Sequence, residues 1–296
     1  MIKFLSNTRL FFIGLIKILF VSRFKNLHRQ IKQKKSSAII LGNGPSLAGL
    51  IENPEFIKRI ENMDAVAVNA FCDHPVFEKM QPRYYMLAAP DFWEDDVKEM
   101  YITFRNNIFN NLAKKVNWEM YLFIPWPAKK KKFWQNILAE NKKIHLVYFN
   151  IIPFEGSDGF KNFCFNKQLG LPRLHNVIGP SVMNMIWLNY KNIYLVGVEH
   201  SWLQQIHVDE NNIAYVGQPH FYDKDAKPER MNGVGGVGYR ALHEIIHKFY
   251  LAFKGYFEVQ HYARSRGVKI INLTEGSYID AFPREKMDIF IKNSND

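Results

Sequence analysis

The sequence predicts an α/β protein: a Rossmann-like, mostly parallel sheet with helices on both faces and a lid insertion. Three observations predict it. Short apolar, strand-like runs alternate with helical patterns from residue 36 onward, as βαβ units require. The first run passes through Gly42-Asn43-Gly44-Pro45-Ser46 directly into a helix. Polar and aromatic residues then gather in the segments that follow the strands, where such sheets bind their ligands.

The chain of 296 residues is 47% hydrophobic, enough for a sizeable core in one large domain. That composition excludes a disordered scaffold. A formal net charge of +11 calls for an anionic partner: a phosphorylated substrate, a membrane surface or nucleic acid. Cys72 and Cys164 lie far apart with no C-x-x-C pair, so neither a disulfide framework nor a cysteine-rich zinc site is expected, and a reducing cytoplasm is the default compartment.

Residues 1–35 differ from the rest. Leu10–Ile16 and Ile18–Val21 are apolar, Lys17 interrupts them, and Arg9, Arg23, Lys25, Arg29, Lys32, Lys34 and Lys35 surround them. An uninterrupted membrane span needs about 20 apolar residues. A basic amphipathic helix in the interface of the inner membrane is therefore expected, against the alternative of a helix packed on the protein's own body.

Strands are expected at Ala38–Leu41, Ala65–Asn69, Tyr84–Ala88, Met120–Ile124, His145–Tyr148, Ile193–Val198 and Val268–Ile271. Helical patterns occupy Pro54–Glu61, Asp95–Leu112, Lys130–Glu140, Ser181–Leu188 and Tyr239–Ser265. Glycines at the first corner let backbone approach a ligand, and Pro45 suits the first turn of a helix, whose exposed amides attract phosphate. Leu47 replaces the third glycine of G-x-G-x-x-G, and Asn69 ends the second strand where a dinucleotide enzyme carries an acid. A mononucleotide fits better.

Leu203–Val237 lacks periodicity and is rich in glycine, proline, charge and aromatics, the composition of a lid over an active site. One catalytic domain, 36–296, with a lid at about 203–237, is the expected organisation.

Two metal motifs compete. His243-Glu244-Ile245-Ile246-His247 matches H-E-x-x-H, but Tyr250 stands where the metzincin extension needs glycine, and Glu258 and His261 lie too far along the same helix to complete a site. Asp223-Lys224-Asp225 lies in the lid and reads as a solvated charge run. No metal site is expected.

Ile39–Leu47, Val68-Asn69, the aromatic third strand leading to Ala89-Pro90, Gly179-Pro180-Ser181-Val182 and Ile193–Glu199 resemble the bacterial sialyltransferases of the Campylobacter type. They are similar also to the wider group holding motility-accessory-factor glycosyltransferases and archaeal pterin diphosphokinase-like proteins. The resemblance implies a GT-A-like sialyltransferase variant of the fold, a CMP-linked acidic nine-carbon sugar donor and a metal-independent inverting mechanism with a histidine base near the lid; a surface glycan or glycolipid is the expected acceptor. The resemblance also implies that His220 is the catalytic base; His200, better fixed at a strand end, is the second candidate. The resemblance further carries Asn43, Asn69, Ser181 or Pro180, and Gly197 into the nucleotide site, which Gly42, Gly44, Ser46, Asp91 and Glu199 of the strand-end loops complete. Tyr215 and Tyr222 are phosphate-stabilising candidates in the lid. Ala89-Pro90 departs from the family's Asn-Pro, and Ser201 falls near the position of its phosphate-stabilising tyrosine.

A histidine with a pKa near 6.5 suits removal of the acceptor's proton at cytoplasmic pH. A single departing phosphate can be stabilised by hydroxyls and basic side chains, so no cofactor is expected. The alternatives are an ATP-dependent diphosphokinase requiring Mg²⁺ and carboxylates such as Asp91, Glu199 or Asp223, and a non-enzymatic nucleotide- or RNA-binding module. No stacked-aromatic RNA motif is present, and no nucleic-acid partner is expected; a homo-oligomer is left open.

Overall fold

The computed structural model describes residues 2–24, 27, 31–33, 35–217, 221, 228–233 and 238–293. His220, Tyr222 and Asp223-Lys224-Asp225 lie outside the described residues. A first helix, α1 (Ile2–Phe20), precedes the sheet. The sheet's strands are β1 (Ser37–Leu41), β2 (Asp64–Val68), β3 (Tyr84–Met86), β4 (Met120–Pro125), β5 (Ile144–Phe149), β6 (Asn192–Val196) and, after a small hairpin of β7 (Ile206–Val208) and β8 (Ala214–Val216), β9 (Lys269–Asn272). Their spatial order is β5-β4-β3-β2-β1-β6-β9, and every pairing is parallel. All seven expected strands are found.

The central strands are buried on both faces, and their side chains alternate between two cores as a period of two demands. Ile39, Leu41, Ala65, Ala67, Leu122 and Ile124 face one core, with Phe56, Phe109 and Trp134 from the helices covering it. Ala38, Ile40, Val66, Val68, Ile193 and Leu195 face the other, against α8 (Ile178–Trp187) and α9 (Leu242–Ser265), which supply Met183, Ile186, Tyr256 and Val259. Such a doubly covered sheet keeps β-branched and aliphatic residues on both faces and leaves little outward polarity on its inner strands.

From β1 the chain moves stepwise outward to β5 and then returns to the opposite side of β1 as β6. The loops after β1 and β6 therefore diverge from a shared point at the carboxyl edge, the place where such sheets form a crevice. Cys72 and Cys164 are free buried thiols, and burial pushes both up to about 12. Among the described residues no helix is long and apolar enough to cross a membrane.

Within the segment expected to be a lid, β7 and β8 pair antiparallel and Val216 bridges to Glu229. Ala214 and Val216 pack with Ile245 and Phe249 of α9. This hairpin was not visible in the sequence, because its strands are three residues each and too short to show alternation.

Candidate active site

A cavity of about 600 Å³ opens at the carboxyl edge where β1 and β6 part. Its wall combines Gly42–Pro45 after β1, Asn69 after β2, Ala88–Asp91 after β3, and Gly197 and Glu199–Trp202 after β6. Residues Ile151, Pro153 and Leu171–Ile178 after β5, and Lys248, Phe249 and Ala252 of α9, complete it.

The two glycine corners interlock. Gly42 N–H donates to Val196 O and Gly44 N–H to Gly197 O, both at 2.8 Å. A Cβ on Gly197, which has φ +65°, would stand 2.6 Å from Gly42 O. Glu199 closes the joint: its Oε1 accepts the Ser46 N–H at 2.8 Å, and a Cβ on Gly44 would stand 1.5 Å from its Oε2. The amide expected to attract a ligand phosphate is thus already held by an internal carboxylate. Asn43 is buried and its Nδ2 donates to Val68 O at 3.1 Å, tying the first corner to β2.

Two acceptor oxygens in this wall are buried and lack a hydrogen-bond partner among the described residues: Glu199 Oε2 and Asn69 Oδ1. Asn69 is held in the left-handed region at φ 50°. Buried acceptors without donors are uncommon and mark a site that a ligand can satisfy.

His200 is also left-handed, at φ 47°, and stacks on Trp202 with ring centroids 4.1 Å apart. Its Nδ1 lies 3.2 Å from the Tyr256 hydroxyl, which donates to Asn176 Oδ1 at 2.9 Å. Asn176 is oriented by its own Nδ2, which donates to Leu174 O at 2.8 Å, and by Gly179 N–H, which donates to Oδ1 at 3.1 Å. Since the one tyrosine proton goes to an atom that can only accept, His200 Nδ1 must carry the proton donated to Tyr256, leaving the lone pair on Nε2. Burial lowers the imidazole's pKa to about 3, so it is neutral at ordinary pH.

Titratable groups from distant parts of the chain share the cavity. Lys248 is half-buried; burial lowers its pKa, Arg240 adds to the fall and Asp91 opposes it. Burial raises Asp91, against the opposing fields of Lys248 and Arg105. His175, at φ 53°, is lowered by burial and by Lys248 and Arg173. Arg173 reaches the wall while its guanidinium pairs with Glu155 at 3.0 Å.

The cavity gathers Gly42, Asn43, Gly44, Asn69, Asp91, Gly197, Glu199 and His200. Three expected residues do not join them. Ser181 is fully buried inside α8, and its Oγ donates to Val177 O at 2.9 Å, one helical turn back. Ser46 is outside the wall, with its N–H given to Glu199 and no side-chain cap bond. Tyr215 stacks on His207 within the hairpin, centroids 5.0 Å apart, and its hydroxyl donates to Asp209. Arg173, His175, Asn176, Lys248 and Tyr256 were not anticipated. They come from an irregular segment and from a helix interior, where sequence marks no ligand site. Among the described residues no group of three His, Cys, Asp or Glu side chains is placed to hold a metal ion.

Fold and site together define a parallel α/β protein with a ligand cavity at its topological switch point. The sequence matches no family model and no curated protein. Among solved structures it is similar to the MAf glycosyltransferase from Magnetospirillum magneticum AMB-1, at a TM-score of 0.48 and 12% identity over 86% of this chain and 34% of that one. The chain spans about a third of the length of that protein.

Proposed function

We propose that the chain is a glycosyltransferase that moves an acidic sugar from a CMP-activated donor to a surface glycan acceptor, without a metal ion. One observation carries the reading. The switch-point cavity presents the unpartnered acceptors Glu199 Oε2 and Asn69 Oδ1 in the same wall system as Arg173 and Lys248. The acceptors suit the hydroxyl and amino donors of a nucleoside, and the cations suit a phosphate and a sugar carboxylate.

Glu199 also favours a donor with one phosphate. Its carboxylate occupies the Ser46 amide that a diphosphate or triphosphate would use, and its charge repels further anionic groups there. His200 is the base supported by this geometry. As the acceptor oxygen bonds to the anomeric carbon, its proton passes to Nε2, the bond from that carbon to the phosphate oxygen breaks, and CMP leaves with the electron pair. A base with a pKa near 3 takes a proton poorly at neutral pH, so the bound anionic donor has the further role of raising it.

The test is CMP release from a CMP-linked acidic sugar in excess EDTA, with UDP-linked sugars in parallel. Release from the CMP donor alone is expected; strict metal dependence, or release from UDP donors only, overturns the reading. Parallel His200→Ala and His220→Ala variants separate the two histidines, and His200→Ala is expected to bind CMP without turning the donor over.

A further inference from the structure

We infer that α1 docks the protein on an anionic lipid surface through the half of its circumference that the body leaves uncovered. At about 100° per residue, Leu15, Leu19, Phe12, Ile16 and Phe20 fall on one continuous arc and all five are exposed, Ile16 at 57%, Leu19 at 75% and Phe20 at 74%, while Phe11 at the arc's edge is exposed on one side and meets the Phe160 ring edge-on on the other. Phe24, just beyond the helix, is 71% exposed.

The opposite arc is pinned to the body. Gly14 is buried so closely on α7 (Asp158–Asn166) that a Cβ would stand 2.4 Å from the Phe160 ring. Ile18 packs on the core beneath the sheet, and Ser22 Oγ donates to Leu169 O at 2.8 Å. Lys17, which breaks the apolar run in the sequence, turns inward and donates to Pro153 O at 2.8 Å. The outward arc therefore carries no charge between Phe11 and Phe20, and Pro153 belongs to the cavity wall. The packed reading of this helix describes its inner face.

Charge selects the occupant. Nine of the first 51 residues are Lys or Arg and none is Asp or Glu, in a chain whose net charge is +11. Exposed Arg9 and Arg23 flank the apolar arc. A second copy of this face would bring two such basic segments together, whereas a bilayer with acidic headgroups accepts both the apolar arc and the charge.

The experiment is flotation of the full chain with vesicles of phosphatidylcholine alone and of phosphatidylcholine mixed with phosphatidylglycerol. Binding to the acidic vesicles is expected, weakened by salt and by about fivefold for each of Arg9→Gln and Arg23→Gln. The double variant Ile16→Glu/Leu19→Glu is expected to lose roughly tenfold or more while keeping the parent's melting temperature, since both side chains are exposed. A chain that stays unbound on acidic vesicles, a double variant that binds like the parent, or a dimer that this variant dissociates in place of vesicle binding would each overturn the inference. Vesicle binding is read without donor and CMP release without vesicles, so this inference and the transferase reading fail separately.

Discussion

The corner after β1 and the corner after β6 meet across one joint, yet they contribute differently. Gly42–Ser46 is the conspicuous motif, and its polar groups are spent inside the protein: one N–H on Val196 at the end of β6, one on Gly197 just after it, one on Glu199, and the Asn43 amide on β2. Gly197–His200 is inconspicuous, and it holds the unpartnered Glu199 oxygen and the neutral imidazole. The glycine-rich motif marks where backbones must touch, while the unpartnered carboxylate oxygen and the neutral imidazole stand on the loop it touches.

A methyl added on each side separates the two corners most strongly. Gly197→Ala forces a side chain into the left-handed region and sets its Cβ 2.6 Å from Gly42 O, a backbone atom that no side-chain change can move. A loss of about 3 kcal/mol or more in unfolding free energy is expected, with no rescue. Gly44→Ala meets mainly the Glu199 carboxylate, so a similar loss should be partly recovered in Gly44→Ala/Glu199→Ala. Denaturant melts of the two singles and the double form the cycle; equal loss with and without Glu199 would show that the first corner, too, is purely a matter of backbone.

His200→Ala tests the chemical side. A general base contributes about 10² to 10⁴ in rate, and a fall of that size in kcat with CMP affinity retained is expected from single-turnover and binding measurements. Retained turnover would move the chemistry away from the β6 corner.

The same imidazole links the site to stability. Its folded pKa of about 3 lies below the ordinary value of 6.5, so the unfolded chain takes up a proton in the window between them and the folded chain does not. Stability from this group is complete above pH 6.5 and is lost as pH falls towards 3. At 1.36 kcal/mol per unit, acidification from pH 6.5 to 4 should cost about 3 kcal/mol. His200→Gln should flatten that part of the slope in melts across the window. His74 and His175, also lowered by burial, contribute the same sign to both proteins.

These contrasts show what sequence could reveal. All seven sheet strands were legible because buried parallel strands are near-continuous apolar runs, and Asn69, Asp91, Glu199 and His200 were found by reading the residues just after them. Ser181, named through the resemblance, lies inside a helix that begins at Ile178, and its hydroxyl bonds back to Val177 in place of facing the cavity. Arg173 and Lys248 were missed for the opposite reason: the segment after β5 has no period, and on α9 a lysine facing a cavity is spelled like one facing water. The inward turn of Lys17 was hidden likewise, since the direction of a helix face depends on what packs beneath it.

The smallest expected effect probes the hydrogen bonds behind His200. Tyr256→Phe keeps the ring and removes the hydroxyl that receives the Nδ1 proton and donates to Asn176. Loss of one such link costs about 1 kcal/mol of stability, a change visible as a small shift in denaturant midpoint. The larger consequence is chemical: without an acceptor on Nδ1 the ring can move its proton to Nε2, and the fraction with a lone pair towards the cavity falls. A decrease of roughly tenfold in kcat with donor KM nearly unchanged is expected. If kcat holds while stability drops, Tyr256 is a packing residue and His200 is oriented by its stack on Trp202 alone.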